Sequence, residues 1–391
     1  MRIAIDARES GSSTGRYIDR LVENLHRLKP EFEIVILAKP QRLDYFKKTA
    51  PDFKITECSY KEFSLGEQIG YLRQLNRLKP DLVHFGMTQQ PAFYKGRAIT
   101  TIHDLTAARF DNPAKNRLIF KFKQALYRWL INKVAKKSQK LITLSEFVKN
   151  DVAQYVGIDP EKISVIYEAA DKIEVSAEPI AELTEQKFIM YVGRPNPHKN
   201  LNRLIDAFAK IVTGHPDLKL VLAGQPDKNY ELLQKYVESK NQAGQAELAE
   251  GERSPARDEN RLGARILFLG FVSDGQLRWL YENTAAYVFP SLSEGFGLPG
   301  LEAMVHGAPV ASSNATCLPE IYGDGAHYFD PLNTDDMVAK INEVLDNFQL
   351  STNLIARGKK QAAQYSWAKT AAQTLEVYRE EYSVQNRSLI V

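Results

Sequence analysis

Two glutamates, Glu294 and Glu302, bracket a short glycine-rich segment of the chain (SEGFGLPGLEAM, 293–304). The segment follows an apolar run that predicts a strand, and Pro299 suits the first turn of a helix because proline lacks the N–H that this turn leaves unpaired. Glycine lets the backbone approach a ligand closely, and free N–H groups at a helix start bind anions. The pattern therefore predicts two carboxylates that accept hydrogen bonds on either side of an anion-binding backbone.

Such a site matches the chemistry of a nucleotide-sugar. Its sugar hydroxyls would donate to Glu294, its diphosphate would accept from the backbone N–H groups, and its ribose hydroxyls would donate to Glu302. The plainer alternative is a helix start whose acidic residue is stabilised by the helix dipole. The whole string favours the ligand site, because it follows a predicted strand where open α/β sheets bind ligands.

A second loop carries positive charge (GRPNPHKN, 193–200), and Arg194 and Lys199 are its only full cations. It lies between a predicted strand and a predicted helix. A diphosphate leaving group gains negative charge as its bond to the sugar breaks, so cations aimed at it act mainly on the transition state. A solvated basic loop is the alternative interpretation.

His103 ends another predicted strand (AITTIHD, 98–104) in the first half of the chain. A lone histidine is more often structural, but one at the carboxyl end of a parallel strand lies where ligands bind. We expect it to face the donor across a cleft. Asp104 either orients the imidazole ring or caps the next segment.

Short apolar runs alternate with amphipathic segments along most of the chain. The runs that predict strands in the first half are residues 2–6, 32–38, 81–86, 98–104 and 140–145. Those in the second half are residues 187–193, 218–224, 265–270, 285–290 and 308–313. Helices are predicted at 15–28, 145–157, 200–212, 273–284, 334–348 and 366–382. This alternation predicts an α/β fold with two Rossmann-like, doubly wound domains facing a cleft.

The chain length of 391 residues exceeds one ordinary core and fits two domains. We predict an N-terminal, acceptor-side domain at 1–170, an acidic linker at 171–186 and a C-terminal, nucleotide-sugar-binding domain at 187–365. The end of the chain, 366–391, is a candidate to pack back on the first domain. The polar stretch 240–263 predicts a mobile surface insertion.

Composition excludes several classes of protein. Charged residues make up 25% and hydrophobic residues 44%, as in globular proteins, and a net charge of +3 argues against nucleic acid as a partner. Cys58 and Cys317 have no metal-ligand spacing, which indicates a reduced, cytoplasmic location. We expect neither a secretory leader nor a membrane-spanning run.

The string PSLSEGFGLPGLEAMVHGAPV (290–310) resembles the E-x7-E signature of the retaining family 4 glycosyltransferases, the group 1 glycosyl transferases. That resemblance implies the GT-B fold of two Rossmann-like domains. It covers nearly the whole chain and includes TIHD (101–104), LSEF (144–147), YVGRPNPHKN (191–200) and FLGFVSDGQL (268–277), in the order that the family has them.

The resemblance also implies roles for individual residues. His103 contacts the donor sugar or positions the reacting groups, Arg194 and Lys199 bind the diphosphate, and Glu294 holds the sugar; these are the four catalytic candidates. The backbone near Val272 flanks the base. The implied donor-binding residues are Gly15, Arg194, Lys199, Val272, Glu294, Gly295, Phe296, Gly297, Leu298 and Glu302. Weaker candidates are Asp104, Arg16 and Glu320.

One loop departs from the family pattern. In relatives, the loop at 6–17 often carries two adjacent glycines that approach the diphosphate or the acceptor, whereas this chain has Ser-Ser-Thr before the single Gly15. Gly15 and Arg16 still fit. Glu320, in the segment after the signature, is either a site residue or a helix-capping carboxylate.

A basic, aromatic stretch at 115–140 contains no acidic residue. The stretch predicts a helix that can lie on an anionic membrane surface. The alternative interpretation is a helix that packs on the core and exposes a solvated basic face. Its predicted apolar and interfacial side chains are Leu118, Phe122, Tyr127, Trp129, Ile131 and Val134. In the family, such helices often bring the enzyme to lipid-linked acceptors.

The sequence thus favours a retaining glycosyltransferase that moves a hexose, with mannose a candidate, from a nucleotide-sugar to a saccharide or lipid-linked acceptor of an envelope polysaccharide. No Asp-x-Asp follows a predicted strand, so we expect no metal and no cofactor. We expect a cytoplasmic protein, peripheral on the inner face of the membrane. The alternatives are a nucleotide-sugar epimerase of the same architecture, a non-catalytic nucleotide-sugar-binding module and a non-catalytic membrane-surface protein.

Overall fold

The computed structural model describes residues 1–12, 14–246 and 262–388. Most of the insertion predicted at 240–263 lies outside these described residues. The chain divides into two compact units. Unit 1 comprises Met1–Ala108, Phe122–Ala169 and Tyr365–Val391, and unit 2 comprises Arg109–Lys121 and Ala170–Gln364.

The strands and helices alternate, as the apolar runs predict. The described strands are β1 (Arg2–Asp6), β2 (Glu33–Ala38), β3 (Lys54–Glu57), β4 (Leu82–Phe85), β5 (Ala98–Ile102), β6 (Lys140–Thr143), β7 (Ile163–Val165), β8 (Phe188–Val192), β9 (Lys219–Ala223), β10 (Ile266–Gly270), β11 (Ala286–Phe289), β12 (Val310–Ser313) and β13 (Ala326–Phe329). The described α-helices are α1 (Arg16–Arg27), α2 (Leu43–Thr49), α3 (Leu72–Leu78), α4 (Thr106–Arg109), α5 (Arg117–Lys137), α6 (Glu146–Val156), α7 (Leu201–Ile211), α8 (Lys228–Ala246), α9 (Leu262–Arg265), α10 (Asp274–Asn283), α11 (Leu298–Val305), α12 (Leu318–Tyr322), α13 (Thr334–Asp346), α14 (Phe348–Ala362) and α15 (Trp367–Ser388).

Each unit has one parallel sheet. In unit 1 the strand order is β3-β2-β1-β4-β5-β6-β7, and in unit 2 it is β10-β9-β8-β11-β12-β13. The central strands are almost wholly buried, which is why they read as continuous apolar runs rather than as alternating patterns. Local signals set several helix ends: the Ser145 hydroxyl accepts from the Val148 N–H at the start of α6, and Gly157 ends that helix with φ of 69°.

Both sheets contain a topological switch point beside their first strand. In unit 1 the chain places β2 and β3 on one side of β1 and β4 on the other; in unit 2 it places β9 and β10 on one side of β8 and β11 on the other. The loops that follow such a pair of strands diverge and open a crevice at the carboxyl edge of the sheet. The crevices therefore lie after β1 and β4 in unit 1, and after β8 and β11 in unit 2.

The structure differs from the sequence-based predictions in two ways. The segment Arg109–Lys121 groups with unit 2 although it was assigned to the first domain; the Phe110 ring lies edge-on to the His198 ring, with 5.8 Å between centroids. The strands β3, β7 and β13 were not predicted. Each has only three or four residues, and all lie at or next to a sheet edge. The final helix, α15, belongs to unit 1.

Candidate active site

The switch point of unit 2 brings the two predicted loops together. The Lys199 ammonium lies 2.6 Å from Glu294 Oε1. The Leu292 N–H donates to the His198 carbonyl at 2.7 Å, and Asn200 Nδ2 donates to the Pro290 carbonyl at 3.0 Å. The loop after β8 and the loop after β11 are thus joined by one ion pair and two hydrogen bonds.

The ion pair between Lys199 and Glu294 is only partly shielded from solvent. The two side chains are 17% and 11% exposed, and the ammonium lies 5.4 Å above the Phe289 ring. The sequence assigned Lys199 to a diphosphate and Glu294 to sugar hydroxyls, and the structure shows that these two groups neutralise each other. A ligand that offers an anion to one and a hydroxyl to the other matches the pair.

The start of α11 requires glycine at two positions. Gly297 has φ of 94°, and a Cβ there would lie 2.5 Å from the Tyr322 hydroxyl; at Gly300 the corresponding distance is 2.3 Å. The Tyr322 hydroxyl donates to the Gly297 carbonyl at 2.5 Å. A tyrosine hydroxyl that the sequence did not single out therefore fixes the backbone between the two signature glutamates.

Other residues of the signature differ in exposure. Gly295 and Phe296 are buried, and Leu298 is the first residue of α11. Phe296 was predicted to bind the donor, and the whole residue is 3% exposed. Glu302 is also buried, and the Tyr281 hydroxyl donates to its Oε2 at 3.3 Å.

The remaining predicted residues of unit 2 lie on loops or short helices. The exposed Arg194 donates from Nη2 to Gln225 Oε1 at 2.7 Å, so its guanidinium lies at the end of β9. Val272 follows Gly270, which has φ of 66° and ends β10. Glu320 lies in the first turn of α12, a helix of five residues.

The switch point of unit 1 is lined by buried charge. Asp6, Arg8, Gly15 and Gly86 line a small cavity there. Arg8 is 2% exposed and donates to both oxygens of Asp6 and to Glu67 Oε1 at 2.8–3.1 Å.

Gly15 precedes α1, and a Cβ on this residue would lie 1.7 Å from a backbone carbonyl oxygen, so no other residue fits. Its N–H donates to the Ser12 hydroxyl at 2.9 Å. That N–H is therefore already hydrogen-bonded within the loop. Arg16 is the first residue of α1.

His103 directly follows β5, and its ring is held on several sides. Its Nε2 donates to the Gly86 carbonyl at 2.9 Å, because a carbonyl oxygen can only accept. The Tyr17 ring packs edge-on against it at 5.2 Å between centroids. Burial lowers the pKa of His103. The hydrogen bond to the Gly86 carbonyl and the electrostatic interaction with Asp104 act in the opposite direction and raise it. Asp104 itself accepts from the Thr106 N–H at 2.7 Å and so caps α4.

A buried chain of hydrogen bonds continues from the Tyr17 ring. The Tyr17 hydroxyl pairs with Thr101 Oγ1 at 3.1 Å, which pairs with His84 Nε2 at 2.9 Å. His84 Nδ1 pairs in turn with the Tyr378 hydroxyl on α15 at 2.6 Å. No local sequence pattern predicts this series of hydrogen bonds, because its members come from four separate elements.

The basic stretch forms α5, and the exposed side of that helix is apolar. Leu118, Ile119, Phe122, Leu126 and Trp129 are exposed and fall within about 100° of one another around the helix axis. We call these five side chains the α5 face.

Three side chains that were predicted to lie with them do not. Ile131 and Val134 are buried, and the hydroxyl of the half-buried Tyr127 pairs with Thr88 at 3.0 Å. From Phe122 onwards the helix belongs to unit 1; there it buries Leu130, Ile131 and Val134 and leaves Phe122, Leu126 and Trp129 of the α5 face exposed.

The described part of the chain contains neither a metal-binding cluster nor a membrane-spanning helix. No group of three or more histidine, cysteine, aspartate or glutamate side chains there could hold a metal ion. None of the described helices has the length and apolarity that a membrane span requires.

Solved structures share this fold over nearly the whole chain. Sucrose-phosphate synthase from Thermosynechococcus elongatus superposes with a TM-score of 0.73 at 17% identity, covering 98% of this chain and 100% of that one. Anabaena HepE in complex with UDP-glucose superposes with a TM-score of 0.70 at 16% identity, covering 97% and 100%. The chain therefore has the GT-B fold.

Two relatives are mannosyltransferases. O-antigen chain mannosyltransferase B of Escherichia coli is 28% identical over 295 residues, which cover 72% of this chain and 70% of that protein. The serotype-specific mannosyltransferase WbdA of Escherichia coli is 29% identical over 257 residues, which cover 63% of this chain but 29% of that protein. The chain thus spans under a third of the length of WbdA.

Two family models match consecutive parts of the chain. The model of Glycosyltransferase Family 4 matches residues 14–172, and the model of Glycosyl transferases group 1 matches residues 172–361. Together they account for most of the sequence, including the loops at the switch point of unit 2. The chain belongs to the family 4, group 1 glycosyltransferases.

Proposed function

We propose that the chain is a retaining hexosyltransferase that moves mannose from a nucleotide-sugar to a saccharide or lipid-linked acceptor of an envelope polysaccharide. The two mannosyltransferase relatives support the sugar, and the O-antigen relative supports the acceptor class. HepE, solved with UDP-glucose, supports a nucleotide-sugar as the class of donor.

The observation that carries the proposal is the partly exposed ion pair of Lys199 and Glu294 at the switch point of unit 2. A diphosphate binds Lys199 and Arg194 and completes its contacts with N–H groups at the start of α11. Glu294, released from Lys199, then accepts from the sugar hydroxyls. Glu302 accepts from the ribose hydroxyls, and the backbone at Val272 flanks the base.

In the proposed reaction the bond between sugar C1 and the diphosphate oxygen breaks, and the acceptor oxygen forms its bond to C1 on the same face. The acceptor proton passes to an oxygen of the leaving diphosphate, so no protein nucleophile is required. Lys199 and Arg194 stabilise the charge that develops on the leaving group. His103 contacts or positions the transferred sugar. With these cations present, the reaction needs no metal ion.

A thermal-shift panel of the full chain against UDP-, GDP- and ADP-sugars, in EDTA, tests the donor site. A donor at 100 times its dissociation constant stabilises the folded state by about 2.7 kcal/mol. We expect one nucleotide series to raise the melting temperature, and Lys199→Ala and Glu302→Ala to abolish the rise. Lys210→Ala is the matched control, because Lys210 forms an exposed ion pair with Asp335 elsewhere in unit 2. If no series shifts the melting temperature, the donor site is not where we place it.

The stereochemical proposal has its own test. Once a donor turns over, the ¹H spectrum of the first product gives the configuration at the transferred C1. We expect the configuration of the donor to be kept, and turnover to be unchanged by EDTA. Inversion would contradict the retaining mechanism, and loss of turnover in EDTA that Mg²⁺ restores would contradict the metal-independent one.

We further propose that the α5 face brings the protein to the inner surface of the cytoplasmic membrane. Its exposed apolar side chains lie on a helix whose surrounding sequence, 115–140, is basic and free of acid. Lys133 lies over the exposed Phe93 ring at 3.9 Å and over Trp129 at 5.1 Å, which extends the combination of charge and aromatic surface. Basic residues and aromatic rings together bind anionic bilayers.

Vesicle flotation tests the membrane proposal. We expect binding to phosphatidylglycerol vesicles, no binding to phosphatidylcholine vesicles, and loss of binding in Phe122→Ser with Trp129→Ser. Leu332→Ser is the control, because Leu332 is an exposed leucine of unit 2. Binding that survives the double substitution would contradict the role of the α5 face. Vesicle binding without turnover of any donor would favour a non-catalytic membrane-surface protein.

A further inference from the structure

Glu168 is a buried carboxylate that the proposed reaction does not use. It lies three residues after β7, is 4% exposed, and places Oε1 3.7 Å from His103 Nδ1. The sequence analysis assigned no role to Glu168, because this residue begins the acidic stretch that leads into the predicted linker. In the structure it belongs to unit 1 together with His103.

The hydrogen bonds of His103 define which ring nitrogen Glu168 faces. Since Nε2 donates to the Gly86 carbonyl, Nε2 carries a proton in every charge state of the ring. In the neutral ring Nδ1 is therefore the acceptor, and it points towards Glu168. A carboxyl group can complement this nitrogen as a protonated donor, or complement the doubly protonated ring as an anion.

The surroundings of Glu168 favour the protonated, neutral form. Burial raises the pKa of Glu168 to about 8, although the Arg16 guanidinium on α1 lowers it. The other ionisable groups that face the pair are Tyr17 on α1, and Asp104 and His84 on the side of His103. Near neutral pH, a protonated Glu168 beside a neutral His103 leaves the pair without net charge, which suits its burial.

We propose that Glu168 is a positioning residue for His103. Its carboxyl oxygen lies against the imidazole on the Nδ1 side at 3.7 Å, a packing and electrostatic contact longer than a hydrogen bond, while the Gly86 carbonyl accepts a hydrogen bond from Nε2 and Tyr17 packs on the ring. One tautomer and one ring orientation are thereby presented to the transferred sugar. This role rests on the proposed function, in which His103 contacts that sugar.

The first test measures the protonation of the His103 ring by NMR and requires no turnover. Long-range ¹H–¹⁵N spectra of the full chain resolve its seven histidines, and the signals missing in His103→Gln assign that ring. We expect an Nε2–H ring in the wild type. In Glu168→Gln we expect a changed Nδ1 shift, because an amide N–H is a weaker donor than a carboxyl O–H. We also expect a lower His103 pKa there, because the amide cannot become the anion that complements the doubly protonated ring. Glu161→Gln is the control, because Glu161 is an exposed glutamate of the same unit. Identical His103 signals and titration in Glu168→Gln and wild type would overturn the proposal.

The second test uses kinetics. A misplaced catalytic group costs about 10²-fold in rate, so we expect Glu168→Ala to lower kcat by about that factor with little change in KM. Glu168→Gln should remain within a few-fold of wild type, because its amide can still donate to Nδ1. Equal kcat in Glu168→Ala and wild type would overturn the positioning role.

The two tests separate this proposal from the proposed function. If the protein turns over no donor but the His103 signals respond to Glu168→Gln, the function fails and the positioning contact stands. If Glu168→Ala does not fold, the spectra of Glu168→Gln still decide.

Discussion

The two switch points have the same topology but use their charges differently. In unit 1, Arg8 is 2% exposed and its donors are directed at Asp6 and Glu67, which are also buried. In unit 2, Lys199 and Glu294 form a single ion pair and remain 17% and 11% exposed. The first arrangement holds loops in place, whereas the second keeps a cation and a carboxylate available to a ligand.

Position in the fold therefore does not by itself identify a reactive site. Both crevices lie at the carboxyl edge of a parallel sheet, where ligands bind. A buried, fully paired charge is costly to separate, so it is suited to structure. A partly solvated pair exchanges partners at lower cost, so it is suited to substrate binding.

Replacing the buried cation should have the largest effect on stability. Arg8→Met leaves Asp6 and Glu67 as uncompensated buried carboxylates, and breaking a buried pair in this way costs about 3–5 kcal/mol of unfolding free energy. Urea denaturation followed by circular dichroism measures this loss. The control is Arg379→Met, because the pair of Arg379 and Glu31 is exposed and surface ion pairs contribute little to stability. Similar losses in both variants would contradict the comparison.

Replacing Lys199, the partly exposed cation of unit 2, should instead lower the rate of the proposed reaction. Lys199→Ala removes a charge that, in our proposal, stabilises the leaving group, and loss of such a group raises the barrier by about 2.7–4 kcal/mol, or about 10²–10³ in kcat. The measurement is steady-state transfer from the donor that the thermal-shift panel identifies. We expect the unfolding free energy of this variant to change much less than that of Arg8→Met. A large loss of stability with normal kcat would reverse the roles of the two regions.

The packing around Tyr322 offers a smaller and more local test. In Gly300→Ala the new Cβ meets the Tyr322 hydroxyl at 2.3 Å, and overpacking of this kind costs about 1–3 kcal/mol. The ring carbon Cζ of Tyr322 would lie 2.4 Å from the same Cβ, so Tyr322→Leu, which removes both atoms, should recover part of the loss in the double variant. A double-mutant cycle of unfolding free energies measures the coupling. Additive losses would show that the Tyr322 side chain does not set the glycine requirement.

The smallest effect concerns pH and the buried His84. Burial lowers the pKa of His84 to about 3, while in the unfolded chain it titrates near 6.5. Between these values the unfolded state binds more protons, so stability falls as the pH is lowered through this range. We expect His84 to contribute about 1 kcal/mol of loss between pH 7 and pH 5.5. His84→Gln should lack this part of the loss; equal pH dependence in the two proteins would contradict it.

Most of the fold followed from local patterns. All the predicted strands are present, because buried parallel strands require apolar runs that are visible in the sequence. The strands that escaped prediction, β3, β7 and β13, are short and lie at or next to a sheet edge. These segments form strands because each can hydrogen-bond with the backbone N–H and C=O groups of a neighbouring strand. No local sequence pattern shows that such a neighbour is present.

Residues of the candidate site could be predicted only where a charged side chain occurs in the same short string as glycines that set the backbone conformation. Glu294, Lys199 and Gly297 stand in strings whose glycines and charges point to anion binding. Glu168 and Tyr322 carry no such signal, because each acts on a residue that is distant in sequence. Phe296 shows the converse, since its place in the signature suggested a ligand contact and its side chain is buried.

The α/β class, the two sheets, the position of the glycine-rich helix start and the basic character of α5 can all be predicted from the order of the residues. Those features depend on residue order over a few turns or strands. By contrast, the pairing of Lys199 with Glu294, the burial of Arg8 against two carboxylates and the approach of Glu168 to His103 are visible only in the folded protein. These pairings depend on burial and on atoms that approach within about 4 Å across long separations in the chain, where the Coulomb energy and the local dielectric are set by the fold.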